Sequence, residues 1–159
     1  TLQLDVALVE ALHDAGWLIA VETNGTVPCP ALLFCEHVCL SPKRGTPWDK
    51  LALVPDEVKV VLPGSLSRDG GWTDAELLEL EEFSRSAEYC ALYVQPQDQV
   101  LPDEGAGGVL SLLTGGVVGD DGAVLQLLFQ QSVDRCVAWG HAHPRWRLSL
   151  QTHKWLSMR

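Results

Sequence analysis

Trp146-Arg147-Leu148-Ser149-Leu150-Gln151-Thr152-His153-Lys154 is the stretch whose reading decides the fold. Trp146 to Leu150 alternate in the manner of a strand, and the alternation stops in a cluster of four polar side chains. Parallel α/β proteins present a site in this way, releasing hydrogen-bonding side chains from the C-terminal ends of their strands. The closing stretch therefore reads as one wall of a site.

The same arrangement recurs upstream. Leu18 to Val21 reads as a strand ending in Glu22-Thr23-Asn24-Gly25, and His37 to Leu40 as one ending in Ser41-Pro42-Lys43. Glu57 to Leu62 ends in Pro63-Gly64, and Ala91 to Val94 in Gln95-Pro96-Gln97-Asp98. Helical patterns lie between these strands. Residues 4–15 place Leu4, Leu8, Leu12 and Ala15 on one face, with Gly16 as the stop. Thr73 and Glu76 form a capping box opening a helix to about Ala87. Leu77, Leu80 and Phe83 are its apolar stripe, and Glu76, Glu79, Glu81 and Glu82 its wet side. A last helix runs from about Ala123 to His141, ended by His143-Pro144 because the residue before proline avoids helical geometry.

Val27 to Leu33 holds two prolines and reads as loop. Residues 99–122, rich in Gly and Asp, read as an inserted surface loop with a short element at Val109 to Leu113. Strands alternating with helices indicate parallel βα units, and right-handed crossovers bring every strand end to one rim. The expected fold class is α/β: an incomplete (β/α) barrel, with residues 1–159 a single domain.

At 159 residues and 47% hydrophobic the chain can bury a real core. A net charge of −10 does not attract phosphate backbones or anionic lipid, so nucleic acid and membrane surfaces are poor partners. No apolar run reaches the length of a membrane span, and no leader opens the chain. The five cysteines, at 29, 35, 39, 90 and 136, lack the two-residue gap of a metal knuckle. They read as buried thiols in a reducing cytoplasm. The chain starts at Thr1, close before a helix, and is expected to lack its beginning.

No phosphate loop, Gly-x-Gly-x-x-Gly, His-Glu-x-x-His or Gly-x-Ser-x-Gly motif is present, and no catalytic residue is assigned. The rim groups suit a polar organic ligand rich in donors and acceptors. Glu22 and Asp98 can accept from hydroxyls or an amine, and Lys43 and Lys154 can meet a carboxylate. His153 can donate, accept or move a proton near neutral pH. Each has a plainer alternative. Asn24-Gly25 can be a simple turn, Ser41-Pro42 a strand exit, Lys43-Arg44 a solvated pair and His153 a structural histidine. His13, His37, His141 and His143 read as structural, and the six tryptophans as core and loop anchors.

Glu22-Thr23-Asn24-Gly25, Ser41-Pro42-Lys43, Gln95-Pro96-Gln97-Asp98 and the closing His143-Pro144-Arg145-Trp146-Arg147-Leu148-Ser149-Leu150-Gln151-Thr152-His153-Lys154 resemble 7-carboxy-7-deazaguanine synthases. These are radical S-adenosylmethionine enzymes of the queuosine and 7-deazapurine pathway. The resemblance covers nearly the whole chain outside residues 99–122. It implies a homodimeric carbon–nitrogen lyase that converts 6-carboxy-5,6,7,8-tetrahydropterin to 7-carboxy-7-deazaguanine with loss of ammonia. It implies S-adenosylmethionine, a [4Fe–4S] cluster and Mg2+ as cofactors, and an electron donor such as flavodoxin. It would place Ser41, Pro42, Lys43 and Gln95, Pro96, Gln97, Asp98 on the S-adenosylmethionine site. Glu22, Thr23 and Asn24 would sit beside that ligand's ribose and amino-acid end, and Gln151, Thr152, His153 and Lys154 near the pterin. The family's cluster cysteines, magnesium threonine and Gly-Gly-Glu-Pro segment have no counterpart in this sequence. This chain alone is thus expected to lack the cluster and the radical chemistry, and the second reading is a cluster-less S-adenosylmethionine- or pterin-binding protein.

Overall fold

A computed structural model of the chain describes residues 4–48, 53–63, 71–86, 89–97 and 121–151. Its centre is a five-stranded, wholly parallel, open sheet. The strands are β1 (Ala20–Thr23), β2 (His37–Leu40), β3 (Glu57–Leu62), β4 (Ala91–Pro96) and β5 (Trp146–Leu148), paired in chain order. Among the described residues three α-helices accompany them: α1 (Val6–Asp14), α2 (Asp74–Ser84) and α3 (Asp121–Ala142). Each parallel connection steps one strand over in the same direction, which is how a (β/α) barrel is wound. The expected α/β class and incomplete barrel hold. Among the described residues no helix is long and apolar enough to cross a membrane.

The two sheet faces differ. On one, Leu40, Val58, Val60, Leu62, Leu92, Val94 and Trp146 are buried against Leu77 and Leu80 of α2 and Cys136 and Trp139 of α3. The alternate residues, Glu57, Lys59 and Val61 on β3 and Ala91 and Tyr93 on β4, are only partly buried. A second cluster joins Val9 of α1 to Ile19, Cys29, Ala31, Leu32 and Val38.

Several expectations need correction. The first strand starts at Ala20, not Leu18, because pairing begins at Ala20 with His37; Leu18 is 81% exposed. The segment read as loop at 27–33 runs into a 3₁₀ helix, Pro30–Phe34. Proline opens it with a preset φ, and Ala31 and Leu32 carry its buried contacts. At α1 Leu4 and Leu12 pack against the second cluster as expected, but Leu8 and Ala15 are exposed and Val9 is the buried residue of the helix. Strand β4 runs two residues beyond Val94, so Gln95 and Pro96 pair with Val61 and Leu62 instead of forming a rim turn. Strand β5 stops at Leu148, although Ser149 still donates its N–H to the Val94 carbonyl. Helix α3 begins at Asp121, inside the stretch read as inserted loop, whose residues 99–120 lie outside the described ones.

Helix α2 has the expected capping box: Thr73 Oγ1 accepts from the Glu76 N–H, and Glu76 accepts from the Thr73 N–H at 2.7 Å. It ends at Ser84 rather than near Ala87. Glu81, assigned to its wet side, is 8% exposed. Its carboxylate accepts from Trp146 Nε1 at 2.9 Å and from Arg85 at 3.0 Å, which offsets the cost of burying it. Trp17 likewise departs from the anchoring role expected of the tryptophans, at 65% exposed.

Candidate functional site

The parallel winding puts the C-terminal ends of β1 and β2 side by side. Ser41 N–H donates to the Thr23 carbonyl at 2.7 Å and stitches the two ends together. The chain then turns at Asn24-Gly25. Thr23 Oγ1 accepts from the Gly25 N–H, and Asn24 Oδ1 from the Thr26 N–H and hydroxyl. Gly25 has φ +74°, and a Cβ there would lie 2.7 Å from the Trp48 carbonyl oxygen. Asn24-Gly25 is therefore a turn, and it also forms a wall.

The wall belongs to an open cleft of about 380 Å³ lined by Glu22, Thr23, Asn24, Thr26, Val27, Ser41 and Lys43. Inside it Lys43 Nζ donates to Ser41 Oγ at 3.2 Å. Glu22 is half exposed and pairs with Lys59 Nζ at 2.6 Å. Burial pushes the Glu22 carboxyl up, but the Lys59 hydrogen bond and charge, the Ser41 hydroxyl and Lys43 together hold it below its ordinary value. Burial pulls Lys59 down, and its bond to Glu22 with the nearby Cys39 and Glu57 more than offsets that, so its ammonium is held above the ordinary lysine value.

Lys43 also lines a second, wider cleft of about 710 Å³ with Pro42, Arg44, Val61, Trp72, Glu76 and Gln97. Lys43 and Arg44 are both exposed, and Arg44 Nε donates to both Glu76 carboxylate oxygens at 3.2 Å, which ties the rim to the start of α2. Gln97 N–H donates to Ser132 Oγ, and Ser132 in turn donates to the Leu62 carbonyl, which fixes the ends of β3 and β4 from α3.

The structure thus brings together Glu22, Thr23, Asn24, Ser41 and Lys43 in one cleft, and Pro42, Lys43 and Gln97 in its neighbour. Gln95 and Pro96 are buried within β4 and line neither. Gln151 is half-buried just past β5, also outside both. Asp98, Thr152, His153 and Lys154 lie outside the described residues. Sequence reading passed over Lys59, which pairs with Glu22 of the smaller cleft, and over Arg44 and Glu76 as lining of the wider one. The signal for Lys59 was present in the alternation Glu57-Val58-Lys59, since a polar residue every second position marks a face no helix covers.

The glutamate, hydroxyls, amide and lysine of the smaller cleft suit a ligand with hydroxyl, amine and carboxylate groups, as S-adenosylmethionine has. An iron–sulfur cluster fits the described residues poorly. They hold no group of three or more His, Cys, Asp or Glu that could bind a metal. Burial, reinforced by Glu57, pushes the Cys39 thiol up to about 12, and Cys39 donates to Glu57 at 3.4 Å. Burial also pushes Cys136 up to about 12 and Cys90 to about 11. Thiols held protonated do not suit cluster ligation.

Fold and rim define a parallel α/β protein of the partial-barrel type with a polar cleft at the C-terminal ends of its strands. No protein-family model matches the chain. It is 34% identical over 157 residues to the 7-carboxy-7-deazaguanine synthase of Burkholderia multivorans, covering 99% of this chain and 54% of that protein. The synthase of Caulobacter vibrioides is 33% identical over 157 residues, with the same shares. That of Nitratidesulfovibrio vulgaris is 35% identical over 158 residues, again 99% and 54%. The chain is thus similar along almost its whole length to proteins named 7-carboxy-7-deazaguanine synthase, and it spans about half the length of the curated relatives it matches.

Proposed function

We propose that the chain forms the ligand-binding rim of a 7-carboxy-7-deazaguanine synthase, a carbon–nitrogen lyase of the radical S-adenosylmethionine class. The reaction is conversion of 6-carboxy-5,6,7,8-tetrahydropterin to 7-carboxy-7-deazaguanine with loss of ammonia, in queuosine and 7-deazapurine biosynthesis. The observation that carries this reading is similarity along 99% of the chain to proteins of that name, joined to a polar cleft at the expected strand ends. S-adenosylmethionine, when bound, supplies an adenosyl radical in this class of chemistry.

Glu22 accepts hydrogen bonds from its ribose or amine, Ser41 and Lys43 meet its carboxylate, and Thr23 and Asn24 shape the wall. Pro42 and Gln97 of the neighbouring cleft complete that side, and Gln151, Thr152, His153 and Lys154 fall near the pterin. The working enzyme is a cytoplasmic homodimer served by an electron donor such as flavodoxin. Its [4Fe–4S] cluster and Mg2+ are held by residues other than those described.

The poor fit of the described cysteines to a cluster favours a second reading, an S-adenosylmethionine- or pterin-binding protein without catalysis. Intact mass and iron content of the protein isolated anaerobically from its source separate the two. A mass well above 17.4 kDa with about four irons per chain supports the synthase. A mass of 17.4 kDa without iron supports binding alone.

A further inference from the structure

Glu22 lines the smaller cleft and Lys59 does not, yet the two meet at 2.6 Å. They stand two strands apart. Glu22 pairs in register with Cys39 of β2, and Cys39 with Glu57 of β3, so Lys59 reaches across β2 to find its partner. The side chain it passes is that of a small residue, Cys39. Lys59 is 19% exposed and Glu22 50%, so the ammonium is the anchored member and the carboxylate the one presented to solvent.

We propose that Lys59 is a positioning residue for the cleft: its ammonium holds the Glu22 carboxylate charged and directed along the rim, ready to accept hydrogen bonds from the ligand. Lys59 does not touch that ligand. The other groups on this face leave the assignment clear. His37 lies 3.7 Å from Glu57, Cys39 donates to Glu57, Tyr93 is the register neighbour of Lys59, and Lys43 bonds Ser41 at the cleft. The Ser41 hydroxyl and the Lys43 charge also act on Glu22, and Lys59 forms the ion pair with it.

The ligand in this inference rests on the adenosyl reading above. The test uses the full chain with Lys59→Met, Lys59→Arg and Glu22→Gln, each checked for folding by circular dichroism. Carboxyl carbon NMR follows the Glu22 titration, assigned by its loss in Glu22→Gln. Titration calorimetry with S-adenosylhomocysteine follows binding. In Lys59→Met the Glu22 midpoint is expected to move upward and affinity to fall about tenfold; in Lys59→Arg the midpoint stays near the original and affinity within about threefold. An unmoved Glu22 midpoint in folded Lys59→Met overturns the proposal, as does a moved midpoint with unchanged affinity. If the unsubstituted chain binds no S-adenosylhomocysteine, the adenosyl reading fails and the Glu22 midpoint alone decides the pair. Should Lys59→Met not fold, a fall of the Lys59 ammonium midpoint in Glu22→Gln supports the pair, and an unmoved one overturns it.

Discussion

On one face of the sheet Val58, Val60, Leu62, Leu92 and Val94 are sealed under α2 and α3; on the other, Glu57, Lys59 and Tyr93 occupy the intervening positions, partly buried, with Glu57 and Lys59 charged and hydrogen-bonded. A parallel sheet covered by helices on both faces reads as continuous apolar strands. Alternation in a parallel strand therefore marks a face kept for something other than helix packing. In an incomplete barrel that face is the inner one, and the cleft at Glu22 opens at its upper edge. The covered face holds the apolar core, and the open face leads to the polar cleft.

That division is broken most directly from the covered side. Leu80→Ala removes a fully buried side chain between α2 and the sheet and is expected to cost about 2–5 kcal/mol, read from urea unfolding. A loss below about 1 kcal/mol would mean that the helix layer does not carry the stability. Glu81→Ala comes next, at about 1–3 kcal/mol, because Trp146 Nε1 loses its acceptor in a buried place. Its near-ultraviolet circular dichroism should change through Trp146, while S-adenosylhomocysteine binding should not.

Gly25→Ala tests the rim itself. Positive φ and a Cβ 2.7 Å from a backbone oxygen should cost about 1–3 kcal/mol, and here ligand affinity should fall with stability. If Gly25→Ala folds and binds as before, the turn is not a wall of the site.

Glu22→Gln is the smallest effect and the sharpest test of the open face. Glu22 titrates below its ordinary value, so its stabilisation is present above the unfolded carboxylate pKa and is lost as pH falls through the folded one. Lys59 titrates above its ordinary value, so its share is present below the unfolded lysine pKa and is lost as pH rises through the folded one. Between those limits Glu22→Gln should lower stability by at most about 1 kcal/mol, since the carboxylate is half exposed. Stability measured against pH should lose part of its acid limb. An unchanged acid limb would place the pair outside the stability of the fold.

Strands β2 and β3 and the capping box of α2 were legible because each rests on local rules: alternation, turn residues and a cap three residues from its partner. The ends of β1, β4 and β5 were not, since pairing decides where a strand stops. Gln95 and Pro96 extend β4 because Val61 and Leu62 stand opposite them. Lys59 went unnoticed because attention to strand ends passes over side chains in mid-strand. Glu81 looked wet because three of its helix neighbours are acidic, whereas its partners Trp146 and Arg145 come from the other end of the chain.

By itself the sequence determined the α/β class, the succession of strands and helices, and a rim bearing Glu22, Ser41 and Lys43. These follow from periodicity and turn chemistry within short windows. Only the tertiary structure decided that Glu22 meets Lys59 across an intervening strand, that Gln95 is buried, and that Arg44 is tied to Glu76. Those contacts join residues far apart in the chain, and their geometry exists only once the sheet has closed its register.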